Sequence, residues 1–438
     1  MPTTRRQILL GGASVAGAAA LSPLLGTGAS EAATVSRSAT VHATLPHPAS
    51  AGIDHIVVLC MENRSFDHFL GWLPGANGRQ AGLAYPDRTG APHPTYHLTT
   101  YQGCGSQDPD HSYSGARAEY HNGACDGWLS VNDEFSIGYY RQSDLPFTGH
   151  AAPYWTVLDN YFAATLGPTF PNRIYLHSAQ TDRIDDSVGL STLPTIWDNL
   201  AAAGVSHKYY FQDLPFLGLW GLKYAGISHG YAEFLADAAA GTLPAVSYVE
   251  PPLFLEAIDG LSRDDHPHGD IRNGEATMND VYRAVTSSPA WARTVLVITF
   301  DEWGGFFDHV RPTQAPDTNP ALTGLRGFRV PTLIVSPYAQ RSAVGHRTYD
   351  HTSVLKLIEW RYGLPALTPR DAAARNLAEL LDFAAPNRHA PQWTANPVTA
   401  LPCFLQGTQP RHGAPTTQGF PALARQVKAQ GWPGVPGN

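Results

Sequence analysis

Three short, nearly continuous apolar runs constrain this chain more than any other feature: Ile53–Cys60, Thr294–Phe300 and Val330–Ser336. A strand with one face in water alternates apolar and polar residues, so an unbroken run implies a strand covered on both faces, as in a parallel sheet between helices. Helical spacing supplies the cover. Met278, Val281, Tyr282 and Val285 repeat at 3–4 residues within Glu275–Val285, and Ser353–Tyr362 reads as a second helix. Asp350 or Thr352 can cap the start of that helix, Gly363 its end, and Pro365 enforces the stop. Strands alternating with helices predict an α/β fold with a mainly parallel central sheet flanked by helices. The 41 Gly and 36 Pro among 438 residues exclude a coiled coil or helical bundle, while 46 aromatics (10 Trp, 19 Tyr, 17 Phe) are enough for a large core.

The N-terminus reads as an address. Arg5-Arg6 precede an apolar stretch from Ile8 to Leu25 diluted by Gly and Ala, and small residues near Ala32 offer a cleavage site, the pattern of a twin-arginine signal peptide over 1–33. The expectation is therefore a secreted or extracytoplasmic protein. Residues 34–50, rich in Ser, Thr, Ala and Pro, read as a linker, 51–385 as the catalytic domain and 386–438 as a Pro/Gly-rich tail that wraps irregularly or is disordered. Within the domain, 74–150 is rich in Gly, Asp, Tyr and His without periodicity, which predicts a loop-rich insertion over the active-site edge of the sheet. Of four cysteines, Cys104 and Cys125 flank a polar segment and are the expected disulfide; Cys60 is expected as a buried thiol, and Cys403 lies in the tail.

With 29 Lys+Arg against 37 Asp+Glu, the formal charge of −8 repels phosphate backbones, so no nucleic-acid partner is expected. An anionic substrate must be held by a local device. In an open α/β sheet the ligand crevice lies beyond the carboxyl ends of the strands, where Glu62-Asn63 and Asp301-Glu302 stand. Three carboxylates on one rim call for a divalent cation, and an all-oxygen set favours Ca²⁺, Mg²⁺ or Mn²⁺, with Zn²⁺ as the alternative. Gly167-Pro168-Thr169-Phe170-Pro171-Asn172-Arg173 holds one hydroxyl, Thr169, in a rigid turn, as a nucleophile beside a cation requires. His111, His266, His268, His309 and His351 stand in Asp/His-rich segments suited to an anionic ligand.

Taken together and in order, Glu62-Asn63-Arg64-Ser65-Phe66-Asp67-His68, Gly167–Arg173, Asp301-Glu302-Trp303-Gly304-Gly305-Phe306-Phe307-Asp308-His309-Val310 and Tyr349-Asp350-His351-Thr352-Ser353 resemble the phosphoesterase family of bacterial phospholipases C and acid phosphatases. The similarity runs from about Ile53 to Phe383. It implies an alkaline-phosphatase-like fold and hydrolysis of phosphate esters through a covalent phospho-enzyme. It also implies one divalent metal ion held by Glu62, Asn63, Thr169, Asp301 and Glu302, with Thr169 as nucleophile. His111, His266 and His309 would bind phosphate oxygens or protonate the leaving group, and Arg173, His268, His351 and Phe170 would contact the substrate. A Thr before Pro-Asn-Arg looks more like the phospholipases C, whereas the acid phosphatases tend to carry Ser. The expected substrate is therefore a phospholipid such as phosphatidylcholine or phosphatidylethanolamine, cleaved to diacylglycerol and the phosphorylated head group. The alternatives are a phosphomonoesterase on the same site and, more distantly, an inactive exported binding protein; a sulfatase-like site lacks its compact Pro-x-Arg setting. No stable protein partner is implied, and at most peripheral membrane contact.

Overall fold

In the computed structural model, residues 36–254, 259–406 and 419–435 are described. The leader expected over 1–33 lies outside them. One sheet of nine strands organises the domain: β1 (Arg37–Ser38), β2 (His55–Met61), β3 (Thr156–Leu158), β4 (His207–Phe211), β5 (Ser228–Gly230), β6 (Val246–Val249), β7 (Thr294–Phe300), β8 (Leu333–Val335) and β9 (Ala343–Gly345). Their spatial order is β1-β9-β3-β8-β7-β2-β6-β4-β5. Every neighbouring pair is parallel except those made by β8, which runs antiparallel to both β7 and β3. The sheet is thus mixed but mainly parallel. The apolar runs of β2 and β7 are buried along nearly their whole length, as their lack of alternation requires.

Register places the site. β7 pairs with β2 from Thr294 opposite His55 to Phe300 opposite Met61, so both strands end on one rim and deliver Asp301-Glu302 beside Glu62-Asn63. β6 pairs with β2 from Val246 opposite Ile56 to Val249 opposite Leu59, which brings Glu250 to the same rim.

Four helices support this arrangement: α1 (Tyr113–Tyr120), α2 (Thr169–Ser178), α3 (Ile271–Thr286) and α4 (His351–Tyr362). α2 packs on α4, and α3 packs on β7 and β2. Asp350 caps α4, its side chain accepting from the Thr352 N–H, and Gly363 at φ 67° closes it. No helix among the described residues is long and apolar enough to cross a membrane.

Three segments are more ordered than their composition suggests. The stretch read as a linker carries β1, the edge strand on β9. The insertion forms its own small core, in which Tyr85, Trp128, Ile137 and Tyr139 pack on Leu166, Trp303, Phe307 and Phe328. In the tail, a helix over Phe420–Gln430 buries Phe420, Leu423 and Val427 in the main core. The expected Cys104–Cys125 disulfide is not formed: Cys104 is bonded to Cys403, 299 residues away, and Cys125 is a buried thiol whose carbonyl accepts from the Trp128 indole. Polar sequence flanking two cysteines did not bring them together; the returning tail supplied Cys403 to Cys104 instead. Cys60 is a buried thiol, as expected.

Candidate functional site

The turn after β2 is held in an uncommon backbone conformation. Asn63 lies at φ 59°, a region Asn tolerates better than most residues, and its N–H donates to Asp301 Oδ1 at 3.2 Å. The turn after β7 needs its two glycines. Gly304 and Gly305 lie at φ 64° and 69°, and a Cβ would meet the Asn63 carbonyl oxygen at 2.3 Å or Pro109 at 2.6 Å. The two turns and the insertion therefore close on one another at backbone contact. Glu119 of α1 adds a tie, accepting from the Trp303 indole N–H at 2.8 Å and from Asn132 at 2.7 Å.

Thr169 opens α2. Asn172 locks the turn before it, donating from Nδ2 to the carbonyls of Gly167 (2.8 Å) and Pro168 (3.0 Å) and accepting from the Thr165 N–H (2.9 Å). The Thr169 hydroxyl is thereby aimed from a helix N-terminus, where the dipole and the first N–H groups favour negative charge. One turn along the same face, Arg173 holds Glu62 Oε1 through Nε (2.8 Å) and Nη2 (2.6 Å), Glu250 through Nη1 (2.5 Å), and stands 3.4 Å from Asp301 Oδ2.

Even so, oxygen atoms remain unanswered. Asn63 Oδ1, Asp301 Oδ2 and Glu302 Oε1 are fully buried and accept no hydrogen bond. Burial raises the Asp301 carboxyl to about 6 against the pull of Arg173, and burial with the Asp301 charge drives Glu302 well above its ordinary value. A buried site that leaves such oxygens unpaired is costly unless something positive answers them. The donor set is all oxygen, so the residues present fit a divalent cation.

Two participants carry no motif in the sequence. Glu250 is one. The other is Asp186, whose Oδ1 accepts from the Phe170 N–H at 2.8 Å and whose carboxyl burial raises to about 7, with His111 and Asp301 as its ionisable neighbours. For Glu250 a signal existed, since it follows the β6 apolar run as Glu62 follows β2. For Asp186 there was none.

The histidines divide. His111 donates from Nδ1 to the Pro109 carbonyl at 2.8 Å, which leaves Nε2 to accept from Asn63 Nδ2 at 3.4 Å, and its ring meets that of His266 edge-on with centroids 5.9 Å apart. The His266 ring bonds the Pro267 carbonyl, and burial lowers its pKa. His268 is oriented by Asp259 at 2.8 Å, and its buried Nε2 carries no hydrogen bond.

The structure does not bring the other expected contacts to the substrate side. His351 is buried, lies between Tyr161 (3.2 Å) and the Asp301 carbonyl (2.6 Å), and burial lowers it to about 4, so it positions Asp301. His309 has one ring nitrogen on Asp67 (2.5 Å) and the other on Asn77 (3.2 Å). Arg173 is committed to carboxylates and the Cys60 carbonyl, the requirement of three acids on one rim. Phe170 packs on Phe216 and Phe420 in the core, because the helix turns residue 170 away from the face that carries 169 and 173.

Residues 53–365, most of the chain, match the Phosphoesterase family. The chain belongs to that family. It is a phosphoric ester hydrolase. Among proteins similar to this phosphoesterase is "Phospholipase C B" of Mycobacterium tuberculosis, 35% identical over 81% of this chain and 82% of that protein. Another is "Non-specific phospholipase C6" of Arabidopsis thaliana, 31% identical over 76% and 73% respectively. Solved structures that resemble the phosphoesterase include an alkaline phosphatase superfamily protein from Vibrio parahaemolyticus, with TM-score 0.38 and 11% identity over 78% of this chain and 72% of that one.

Proposed function

We propose that this phosphoesterase is an exported, metal-dependent phospholipase C that cleaves phosphatidylcholine or phosphatidylethanolamine to diacylglycerol and the phosphorylated head group through a phospho-Thr169 intermediate. The observation that carries the reading is a rim whose Asn63, Asp301 and Glu302 oxygens accept no hydrogen bond, tied through Arg173 and Glu62 to the helix that Thr169 opens. A divalent cation there, held by Glu62, Asn63, Thr169, Asp301 and Glu302, supplies Lewis-acid stabilisation of charge. Export rests on the twin-arginine pattern at Arg5-Arg6.

The Thr169 oxygen, its proton released to water, attacks phosphorus as the bond to the glycerol oxygen breaks. His266 in its protonated form gives that oxygen a proton, which frees diacylglycerol. Water then attacks phospho-Thr169 and surrenders a proton to His266. The phosphorylated head group departs and the threonine oxygen is regenerated. His111, fixed in one tautomer by Pro109, keeps Asn63 in place.

Charge supports a diester. The arginines nearest the rim are committed, Arg173 to carboxylates and Arg64 to the Asp265 carbonyl (2.8 Å) and His68 (3.1 Å). A terminal phosphate dianion would need several free cationic donors, whereas a diester monoanion needs fewer. The test is p-nitrophenylphosphorylcholine against p-nitrophenyl phosphate at neutral pH, with acid quenching to trap label on the Thr169 peptide. Faster diester cleavage and labelled Thr169 are expected. Preference for the monoester with an acidic optimum makes the protein an acid phosphatase instead, and an unlabelled peptide removes the covalent intermediate.

A further inference from the structure

Nine large hydrophobic side chains are exposed among the described residues, and three of them, Leu401, Phe404 and Leu405, fall within five residues of one another at 52%, 61% and 62% exposure. The others stand singly along the chain, as exposed apolar residues ordinarily do. The three sit on a single short turn, Cys403–Gln406, and its preceding residues.

That turn is built. Cys403, fully buried between the exposed residues, is disulfide-bonded to Cys104, and its N–H donates to the Asp259 carbonyl at 3.0 Å. Gln102 donates to the carbonyls of Leu401 (2.8 Å) and Gly260 (2.7 Å), and Gln406 donates to the Leu401 carbonyl (2.9 Å) and Gln102 Oε1 (2.8 Å). A covalent anchor and a hydrogen-bonded seat thus hold the apolar side chains outward. Asp259, part of the seat, is the residue that orients His268. The turn is therefore two residue contacts from the site.

Charge narrows the partner. Between Arg388 and Arg411 there is no Asp, Glu, Lys or Arg, in a chain of net charge −8. An anionic lipid surface would be repelled, and no basic cluster on this segment offsets that. Three side chains fall far short of the ~800 Å² per partner of a stable protein interface. Aromatic and leucine side chains on a segment without charged residues instead match the headgroup–acyl boundary of a bilayer.

We propose that Leu401, Phe404 and Leu405 form a lipid-docking wedge that seats the site on a zwitterionic bilayer surface. The proposal rests on the phospholipase reading and adds to it the surface through which the substrate is reached.

The test is flotation of the full chain with phosphatidylcholine vesicles, wild type against the double variant Phe404→Ser/Leu405→Ser. Both positions are exposed and outside the catalytic group, so turnover of soluble p-nitrophenylphosphorylcholine should be unchanged. Vesicle partition should fall by about tenfold or more. A separate Phe404→Trp variant should shift its emission to the blue when vesicles are added. Equal partition of wild type and double variant overturns the wedge, as does a wild type that stays out of vesicles. So does a lipid-free dimer that the double variant dissolves, which would show a second copy on the patch. Failure of the phospholipase reading registers separately, as a wild type that partitions yet leaves the soluble diester intact.

Discussion

Two groups of buried carboxylates stand on the same two chain segments, yet they are finished in opposite ways. Glu62, Asp301 and Glu302 line the rim; five or six residues further on, Asp67 and Asp308 are equally buried beside Arg329. In the second group every carboxylate oxygen is answered. Asp308 accepts from Arg329 Nε (2.9 Å) and Nη2 (3.0 Å) and from the N–H groups of Val310 and Asp67; Asp67 accepts from Arg329 Nη2 (3.1 Å), Arg79 N–H, and the ring and backbone of His309. In the first group, Arg173 answers Glu62 and Glu250 and stands 3.4 Å from Asp301 Oδ2, but that oxygen, Glu302 Oε1 and Asn63 Oδ1 accept no hydrogen bond. Although Asp67, Asp308 and His309 lie close enough to share a metal ion, Arg329 already supplies their positive charge. Proximity of acids therefore does not by itself make a metal site; uncompensated oxygen does.

The largest expected effect breaks or keeps the functional half of that contrast. Thr169→Ala should lower kcat by on the order of 10⁴-fold or more while the thermal midpoint stays within about 2 °C, because the hydroxyl makes no hydrogen bond to the described residues; Thr169→Ser should retain some activity. Activity surviving in the alanine variant would end the nucleophile assignment.

Next comes the cation. Chelation should cost activity by on the order of 10²-fold or more, restored by Ca²⁺, Mg²⁺ or Mn²⁺. Elemental analysis should find about one ion per chain, lost in Asp301→Asn and kept in Asp308→Asn. Loss in both variants would mean that the two groups are not distinct.

Stability should run the other way. Arg329→Met leaves Asp67 and Asp308 buried without their cation and should cost about 3–5 kcal/mol in denaturant unfolding, whereas Glu302→Gln, measured with chelator present, should change stability by less than about 1 kcal/mol or raise it. The reverse order would erase the comparison.

A third arginine-answered carboxylate gives the smallest test. Asp350 is buried, but Arg370 and Arg326 outweigh that burial and hold its carboxyl well below the ordinary range. A folded pKa below the unfolded value of about 3.9 stabilises fully above it and is lost as pH falls toward the folded value. Wild-type urea midpoints should therefore drop below about pH 4, and Asp350→Asn, which can still cap α4, should show a shallower drop. An unchanged slope would show that the arginines do not hold the charge.

Much of the scaffold was legible because its causes are local. Unbroken apolar runs at 53–60 and 294–300 require cover on both faces wherever they lie, and the acids behind them follow the strands to the rim. Thr169 was legible because prolines and Asn172 shape its turn within a few residues. The direction of β8 was not legible, since an apolar run is buried equally well in either orientation. Phe170 and Arg173 were misplaced as substrate contacts because their environments come from Phe216, Phe420, Glu62 and Glu250, all remote in sequence.

The α/β class, the rim acids, the rigid turn at Thr169 and the membership of one family could be read from the sequence, since all of them depend on short-range backbone preference and hydrophobic patterning. Long-range folding was needed to bring Asp186 and Glu250 to the site, to set His309 on the Asp67 carboxylate and His351 on the Asp301 backbone carbonyl, and to join Cys104 to Cys403 rather than Cys125. The physical reason is compensation: a buried charge or thiol takes whichever partner the closed chain brings within a few ångströms, and that partner's identity is a property of the fold rather than of the neighbouring residues.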